Sequence, residues 1–245
     1  MRPAAIVLAL AALPQEGGLA FERTVRVTTV DTLNRRREIH RRERVALKDG
    51  NLAVIDLTFG ERLVVRADTK TIRKADPLGG TYSEYTFEEA AAIRKAALDE
   101  IASAKARVPG TADERELEAI LEGFDRTAAS PRVELKASGA DRQVILNGDR
   151  VRLSATVDEK VPAPALYDAL AAAGAFPPEV AAKLRELGGL PVKGTVRYLL
   201  FLDRVIEQFE VTSVGGAPSA ADFELPPGLT RVPLKGFERP AGRKP

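Results

Sequence analysis

The sequence predicts an α+β fold in which a curved antiparallel sheet, an incomplete β-barrel, carries helices on its concave side. Three observations support this prediction. Apolar runs of strand length follow one another from Val45 to Tyr85, separated by turn residues. Two stretches with the apolar spacing of amphipathic helices interrupt the strands, near 86–125 and 163–188. Long apolar runs of strand type then return between Val192 and Val214.

The first twenty residues differ in character from the rest. One basic residue, Arg2, precedes a ten-residue apolar run, Ala4–Leu13, and small residues follow up to Ala20. This order predicts a secretory signal peptide over 1–20, cut after Ala20, and a periplasmic or secreted mature protein. The alternative is a cytosolic protein whose N-terminus is disordered or forms a strand. Ten apolar residues are too few to span a bilayer, and we expect no transmembrane helix in the mature chain.

Composition limits the chemistry further. The chain contains 37 basic and 35 acidic residues, a net charge of +2, and we expect no nucleic-acid partner from so small an excess. It contains no cysteine, which excludes disulfides, thiolate catalysis and the acylated cysteine of a bacterial lipoprotein. Its single histidine, His40, makes a His-rich metal site or a His-based catalytic triad a poor prediction. We expect no metal and no cofactor.

The mature chain is predicted to form one domain over 21–234, followed by a disordered, Pro-rich tail over 235–245. At its centre, Asp49-Gly50 between apolar runs predicts a tight hairpin, because glycine adopts positive φ without steric cost. Alternation of Ala53, Ile55, Leu57 and Phe59 predicts one strand with a single apolar face.

An arginine-rich segment precedes this centre. Residues 35–44 contain six arginines, and an extended chain would place Arg36, Arg42 and Arg44 on one face and the others on the opposite face. We interpret the segment as a protruding, solvated hairpin. Its functional reading is an electrostatic contact with an anionic membrane surface or envelope protein, with Arg36, Arg41 and Arg42 as contact candidates. The alternative is a charged arm neutralised by local glutamates.

The helices are predicted from capping residues. Thr86 and Glu89 have the spacing of a capping box, which predicts a helix running to about Val108. A second box, at Thr111 and Glu114, predicts another helix. Strands resume at Val133, and Asn147-Gly148 predicts a further hairpin. Short helices are predicted to follow Pro164 and Pro178.

The sequence contains none of the common motifs of nucleophilic catalysis or phosphate binding. The chain has no Gly-x-Ser-x-Gly elbow, no Ser-x-x-Lys and no phosphate-binding glycine loop. Carboxylates such as Asp56 and Asp158 are plentiful, so an acid/base pair assembled by the fold stays a third, weaker hypothesis. We expect a protein that is not an enzyme.

Three short motifs mark the order of parts in this sequence. They are Thr81–Glu89 before the first helix, Leu187–Val192 at the return to strands and the closing Asp222–Gly228. With these motifs, the order of parts resembles the periplasmic lipoprotein-carrier (LolA-like) superfamily. The resemblance spans roughly Phe21–Val232. It implies a half-barrel whose concave apolar surface holds lipid or acyl chains.

The leading hypothesis is therefore an exported, monomeric, non-enzymatic binding protein that holds an apolar ligand or a lipidated partner. The alternative is an envelope interaction or scaffold module without a ligand cavity, docking through the arginine-rich hairpin. Strand alternation gives the candidate ligand-binding residues of the first hypothesis, which are Ile55, Leu57, Val65, Leu153, Tyr198, Leu200 and Phe209.

Overall fold

The computed structural model describes residues 18–30, 35–112, 133–146, 151–172, 178–200 and 203–233, and in them the chain forms a large, curved, open sheet with few helices. The strands are β1 (Leu19–Val30), β2 (Arg36–Lys48), β3 (Asn51–Asp56), β4 (Arg62–Arg66), β5 (Thr71–Asp76), β6 (Thr81–Thr86), β7 (Val133–Ser138), β8 (Asp141–Leu146), β9 (Val151–Asp158), β10 (Leu190–Leu200), β11 (Asp203–Val214) and β12 (Thr230–Arg231). The helices are α1 (Phe87–Lys105), α2 (Pro164–Ala172) and α3 (Pro178–Arg185), with a 3-10 helix at Ala220–Phe223.

The strands are ordered β12-β6-β5-β4-β3-β2-β1-β11-β10-β9-β8-β7. Neighbouring strands are antiparallel except β12 and β6, which are parallel. The two long strands β1 and β11, far apart in the chain, therefore pair at the centre of the sheet. The prediction of a curved, mainly antiparallel sheet that does not close into a barrel is confirmed. The placement of helices on its concave side stays a prediction.

Local turn and capping chemistry follows the sequence closely. Lys48 pairs with Asn51, and the two residues between them, Asp49 and Gly50, both have positive φ, 52° and 77°. These are the angles of a tight two-residue hairpin, as predicted. At the start of α1, Thr86 Oγ1 accepts a hydrogen bond from Glu89 N at 3.1 Å, and Glu89 Oε2 accepts one from Thr86 N at 2.7 Å. This confirms the predicted capping box.

The structure also corrects two boundaries. The predicted strand through Phe59 ends at Asp56, whose Oδ1 accepts hydrogen bonds from Thr58 N at 2.7 Å and Phe59 N at 3.0 Å. A carboxylate that bonds the amides two and three residues later turns the chain and stops the ladder. Helix α1 ends at Lys105, before Val108. Most of the second predicted helix, and the Asn147-Gly148 turn, lie outside the described residues.

The main core lies on one face of the sheet, which we call the helix-side face because α2 and α3 pack on it. Its strand members include Leu19, Phe21, Val45, Leu47, Leu52 and Val65, and its helical members include Tyr167, Val180 and Leu184. Burial raises the pKa of the Tyr167 hydroxyl, which lies 3.4 Å from the Gly189 carbonyl oxygen. Because Leu19 and Phe21 are core members, the N-terminal end of β1 is part of the core.

A C-terminal strap, residues 217–231, crosses the opposite face, which we call the strap-side face. Phe223 of the strap packs against a cluster of buried residues from β2, β3 and β4, namely Ala46, Ala53, Ile55 and Val64. Arg62 Nη1 donates to the carbonyl oxygens of Ala221 at 3.0 Å and Glu224 at 2.8 Å. The strap then adds β12 to the edge strand β6. Small alanines under a phenylalanine explain why the strap lies so close to the sheet.

Candidate functional site

A second apolar cluster lies on the helix-side face beside the main core, which Leu153 also contacts, and we call it the central patch. It consists of strand residues alone, which are Val25, Val27, Leu153, Ala155, Val196 and Phe209. The register places Val25 beside Phe209, Phe209 beside Gly194, and Gly194 beside Ala155. A Cβ atom on Gly194 would lie 2.9 Å from Phe209 Cζ, so the aromatic ring lies against bare backbone at this position.

A charged pair borders the patch. Arg23 Nη2 and Nε lie 2.7 Å and 2.8 Å from Glu43 Oε2, and the Glu43 side chain is buried. The guanidinium carbon of Arg23 lies 5.9 Å from the centre of the Phe209 ring, within reach of a cation–π contact. Arg23 therefore links a buried carboxylate to the aromatic ring of the patch.

A second arginine is less well satisfied. Arg41 Nε lies 3.7 Å from Asp56 Oδ2, and Arg41 Nη1 lies 3.7 Å from Glu61 Oε2. Both distances exceed the length of a hydrogen bond. Within the described chain, Arg41 Nε and Asp56 Oδ2 are buried without a hydrogen-bond partner. The Arg41 guanidinium is held by Coulombic attraction and by the Phe59 ring, 6.0 Å away.

Glu207 adds a titratable group to the patch. On β11 it lies opposite Val27 of β1 and Val196 of β10. Burial raises the pKa of its carboxyl above the ordinary value; Arg23 and Arg41 act against this rise and Glu43 adds to it. The patch thus combines aliphatic and aromatic surface with a carboxyl that binds its proton more readily than one in water.

The structure distributes the predicted ligand-binding residues over several places. Leu153 and Phe209 lie together in the central patch. Val65 is fully buried in the main core, and Ile55 is covered by the strap on the opposite face. Leu57, in the turn after β3, is 44% exposed. Tyr198 and Leu200 belong to β10, and their side chains are outside the described part of the structure.

The contact candidates of the arginine-rich segment separate as the alternation predicts. Arg41 lies on the helix-side face near the patch, and Arg36 and Arg42 lie on the strap-side face. The side chains of Arg36 and Arg42 are 58% and 68% exposed and lie 3.6 Å from Glu38 and 3.3 Å from Glu22. Only the N-terminal half of β2 is solvated, because its second half, from Val45 to Leu47, belongs to the core.

Three charged residues of the patch were missed in the sequence: Arg23, Glu43 and Glu207. A signal for two of them exists. Arg23 is two residues from both Phe21 and Val25, and Glu43 is two residues from Val45, so each shares a face with buried neighbours. A polar residue at such a position predicts a buried ion pair. Strand β11 alternates too weakly between polar and apolar residues to show on which face Glu207 lies.

Comparisons with known proteins leave the chain without a family. No family model matches the sequence, and no curated protein matches it. Among solved structures it is similar to a LolA superfamily protein from Nitrosomonas europaea, with 9% identity over 85% of this chain and 90% of that one, and a TM-score of 0.29. A TM-score and a sequence identity this low do not assign the chain to that superfamily.

Among the described helices, none is long and apolar enough to cross a membrane. In the same part of the chain, no three His, Cys, Asp or Glu side chains come together as metal ligands would.

Proposed function

We propose that this protein is an exported, non-enzymatic binding protein that holds the apolar chain of a lipid or of a lipidated partner against the central patch. The observation that supports this proposal is the patch itself. Its apolar residues come from strands alone, they form a cluster beside the main core, and the flexible side chain of Arg23 lies over its aromatic ring. A ligand reaches such a surface by displacing a side chain, without moving backbone.

The energetics favour a chain-like ligand. Each CH2 group taken out of water contributes roughly 0.8 kcal/mol, so four or five methylenes lying on the patch would contribute about 3 to 4 kcal/mol. The Arg23 side chain is only partly buried, and the guanidinium that lies over Phe209 is the group that pairs with Glu43, so a ligand that displaces it must also shift this ion pair. The patch therefore offers apolar area that the movement of one side chain uncovers.

The direct test is chemical. Purified protein extracted with organic solvent should release lipid that mass spectrometry identifies, and delipidated protein should bind a fluorescent fatty acid. The double variant Val27→Gln, Val196→Gln places polar amides in the patch and should weaken fatty-acid binding at least tenfold. Leu78→Gln is the control, because Leu78 is 79% exposed and belongs to a turn that is not part of the patch. Circular dichroism checks that each variant is folded.

Wild-type protein that carries no lipid and ignores the fluorescent fatty acid would contradict the proposal. The same holds if the patch variant and the Leu78 control bind alike.

A second candidate function rests on a different observation. The first five residues of β2, Arg36–His40, are all exposed, and this end of β2 carries the arginine-rich segment. It supports docking of the strand end on an anionic envelope partner. Exposed charges are screened by salt, so this binding should weaken steeply between 50 and 500 mM NaCl, and Arg36→Glu should abolish it. Fatty-acid binding should change little over the same range.

A further inference from the structure

The strap-side face carries an open cavity of about 670 Å³ at the centre of the sheet. Residues from β2, β1, β11 and β10 line it, and these four strands are adjacent in the sheet. Four adjacent strands span three strand spacings, about 14 Å. The cavity is therefore wide enough for a small hydrophilic molecule. Most of its lining residues belong to the strap-side face, and Val25, Gly194 and Phe209, which belong to the central patch or lie beneath it, also line it.

The chemistry of the lining is that of a hydrogen-bond donor surface. Four cationic residues, Arg26, Arg41, Arg42 and Lys193, line the cavity together with His40, against one carboxylate, Glu210, and all of them but Arg41 belong to the strap-side face. The register places Arg26 directly opposite His40 and Arg42 opposite Thr24, so the two arginines come from neighbouring strands and consecutive rows of one face. Guanidinium and ammonium groups arranged in this way fit the oxygens of a phosphate or sulfate.

The existing partners of these cations do not block a ligand. Arg42 Nη2 lies 3.3 Å from Glu22, Lys193 Nζ lies 3.2 Å from Glu210, and Arg26 pairs with Glu38. Ion pairs between exposed side chains contribute little to stability, because water screens both charges. A doubly charged oxyanion gains two charge-assisted contacts at once and so competes well with each single carboxylate.

We propose that this cavity is a second binding site, for the phosphate or sulfate group of a small hydrophilic molecule. Arg26 and Arg42 bind the oxyanion, and Lys193 and the hydroxyl and amide side chains of the lining bind the rest of the molecule. A recess of this size fits a small molecule that carries one oxyanion group, whereas a flat membrane surface could not enter it. Arg26, Arg42 and Lys193 belong to the strap-side face, whereas the proposed apolar ligand lies on the helix-side face.

Isotope-labelled protein titrated with sodium phosphate provides the test, with sodium chloride at equal ionic strength as the reference. Phosphate should shift the amide resonances of residues 24–26, 40–42, 193–195 and 208–210, and the shifts should saturate. The variant Arg26→Gln, Arg42→Gln should bind at least tenfold more weakly. The charge-matched control Arg66→Gln, Lys74→Gln lies outside the cavity and should bind as the wild type does.

Shifts that chloride reproduces, or a cavity variant that titrates like the wild type, would overturn the inference. Phosphatidylglycerol vesicles separate the two sources of a phosphate group: binding to vesicles without binding to free phosphate would identify a membrane surface and also overturn it. Fatty-acid binding by the cavity variant should equal that of the wild type. Its loss would show that the two faces are not independent, so failure of one proposal is distinguishable from failure of the other.

Discussion

Arg44 of β2 and Asp222 of the strap form two hydrogen bonds, at 3.0 Å and 3.2 Å, across 178 residues of sequence. The same carboxylate accepts a hydrogen bond from Ser219 N at 2.8 Å. Asp222 therefore organises the 3-10 turn of the strap and ties it to the sheet in one step. Burial alone would raise the pKa of Asp222, but its bonds to Arg44 and Ser219 outweigh burial and lower it. The carboxylate is a fixed structural anion.

Replacing this carboxylate should destabilise the fold. Asp222→Asn removes the charge that Arg44 and the strap amide share, and we expect a loss of about 2 kcal/mol in the free energy of unfolding at pH 7. Since the folded-state pKa is lowered, the wild-type contribution is present above the unfolded pKa and is lost as pH falls through the folded value. Urea denaturation at pH 7 and pH 3 measures this, and the difference in stability between the two proteins should be smaller at the lower pH.

Asp68→Asn is the control for that experiment, since Asp68 also pairs with an arginine, Arg66, but is exposed. Its effect should be clearly smaller than that of Asp222→Asn. Equal effects at the two sites would show that the strap contact adds nothing beyond a surface ion pair.

The strap should also depend on Phe223. This ring covers Ala46 and Ala53, which are fully buried beneath it, and Phe223→Ala would leave a cavity that two alanines cannot fill. We expect a loss of about 3 to 4 kcal/mol, measured from the urea midpoint. Hydrogen exchange at β12 and β6 should accelerate with it, because the strap delivers β12 to that edge. An unchanged midpoint would mean that the strap merely rests on the sheet.

Local features of this fold could be predicted, and long-range ones could not. The Asp49-Gly50 turn and the Thr86 cap depend on residues within four positions of each other, and both are read directly from the chain. Strand β5 has little apolar signal, because only Ile72 and Ala75 of its six residues are buried, and it is held by pairing on both sides. No local pattern carries that information.

The same division holds for the candidate site. Phe209 and Leu153 were predicted from alternation, yet what joins them is the pairing of β11 with β1 and of β10 with β9. Ile55 alternates just as regularly, but the strap covers it, and nothing near residue 55 indicates that a segment 170 positions later will do so. Alternation identifies the face on which a side chain lies. Strand order and other long-range contacts, such as that of the strap, decide what packs on that face.

The N-terminal boundary gives a third prediction. Leu19 is 4% exposed and Ala20 is buried in β1, where they pair with Leu47 and Ala46. A cut after Ala20 would remove both residues from the core, and burying a leucine contributes about 1.5 to 3 kcal/mol. We expect a chain beginning at Gly18 to be more stable by at least that amount than one beginning at Phe21. If the protein is exported as proposed, the intact mass of its mature form should accordingly place the first residue at or before Gly18.

A fourth prediction concerns the backbone beneath the patch. A Cβ atom at Gly194 would lie 2.5 Å from the Ser154 carbonyl oxygen and 2.9 Å from Phe209 Cζ, closer than van der Waals contact allows. Gly194→Ala should therefore displace the Phe209 ring, lower stability by about 1 to 3 kcal/mol and weaken fatty-acid binding. Thr195→Ala, on the opposite face, is the control. Fatty-acid binding that survives in Gly194→Ala would remove Phe209 from the proposed ligand site.

The last prediction is the pH dependence set by Glu207. Its raised pKa, caused first by burial, means that the folded chain binds this proton more tightly than the unfolded chain does. The cost of the charged form is fully present above the folded pKa and is relieved as pH falls toward the unfolded value, about 4.3 for glutamate. Glu207→Gln should thus be more stable than the wild type at pH 8, with a difference that shrinks on acidification and vanishes near pH 4. Glu210→Gln should show no such gain, because Glu210 is exposed beside Lys193.

Fatty-acid binding by the wild type should strengthen over the same pH interval in which the stability difference disappears, since protonation of Glu207 makes the patch more apolar. If binding stays constant across that interval while the stability difference changes, Glu207 does not contact the ligand.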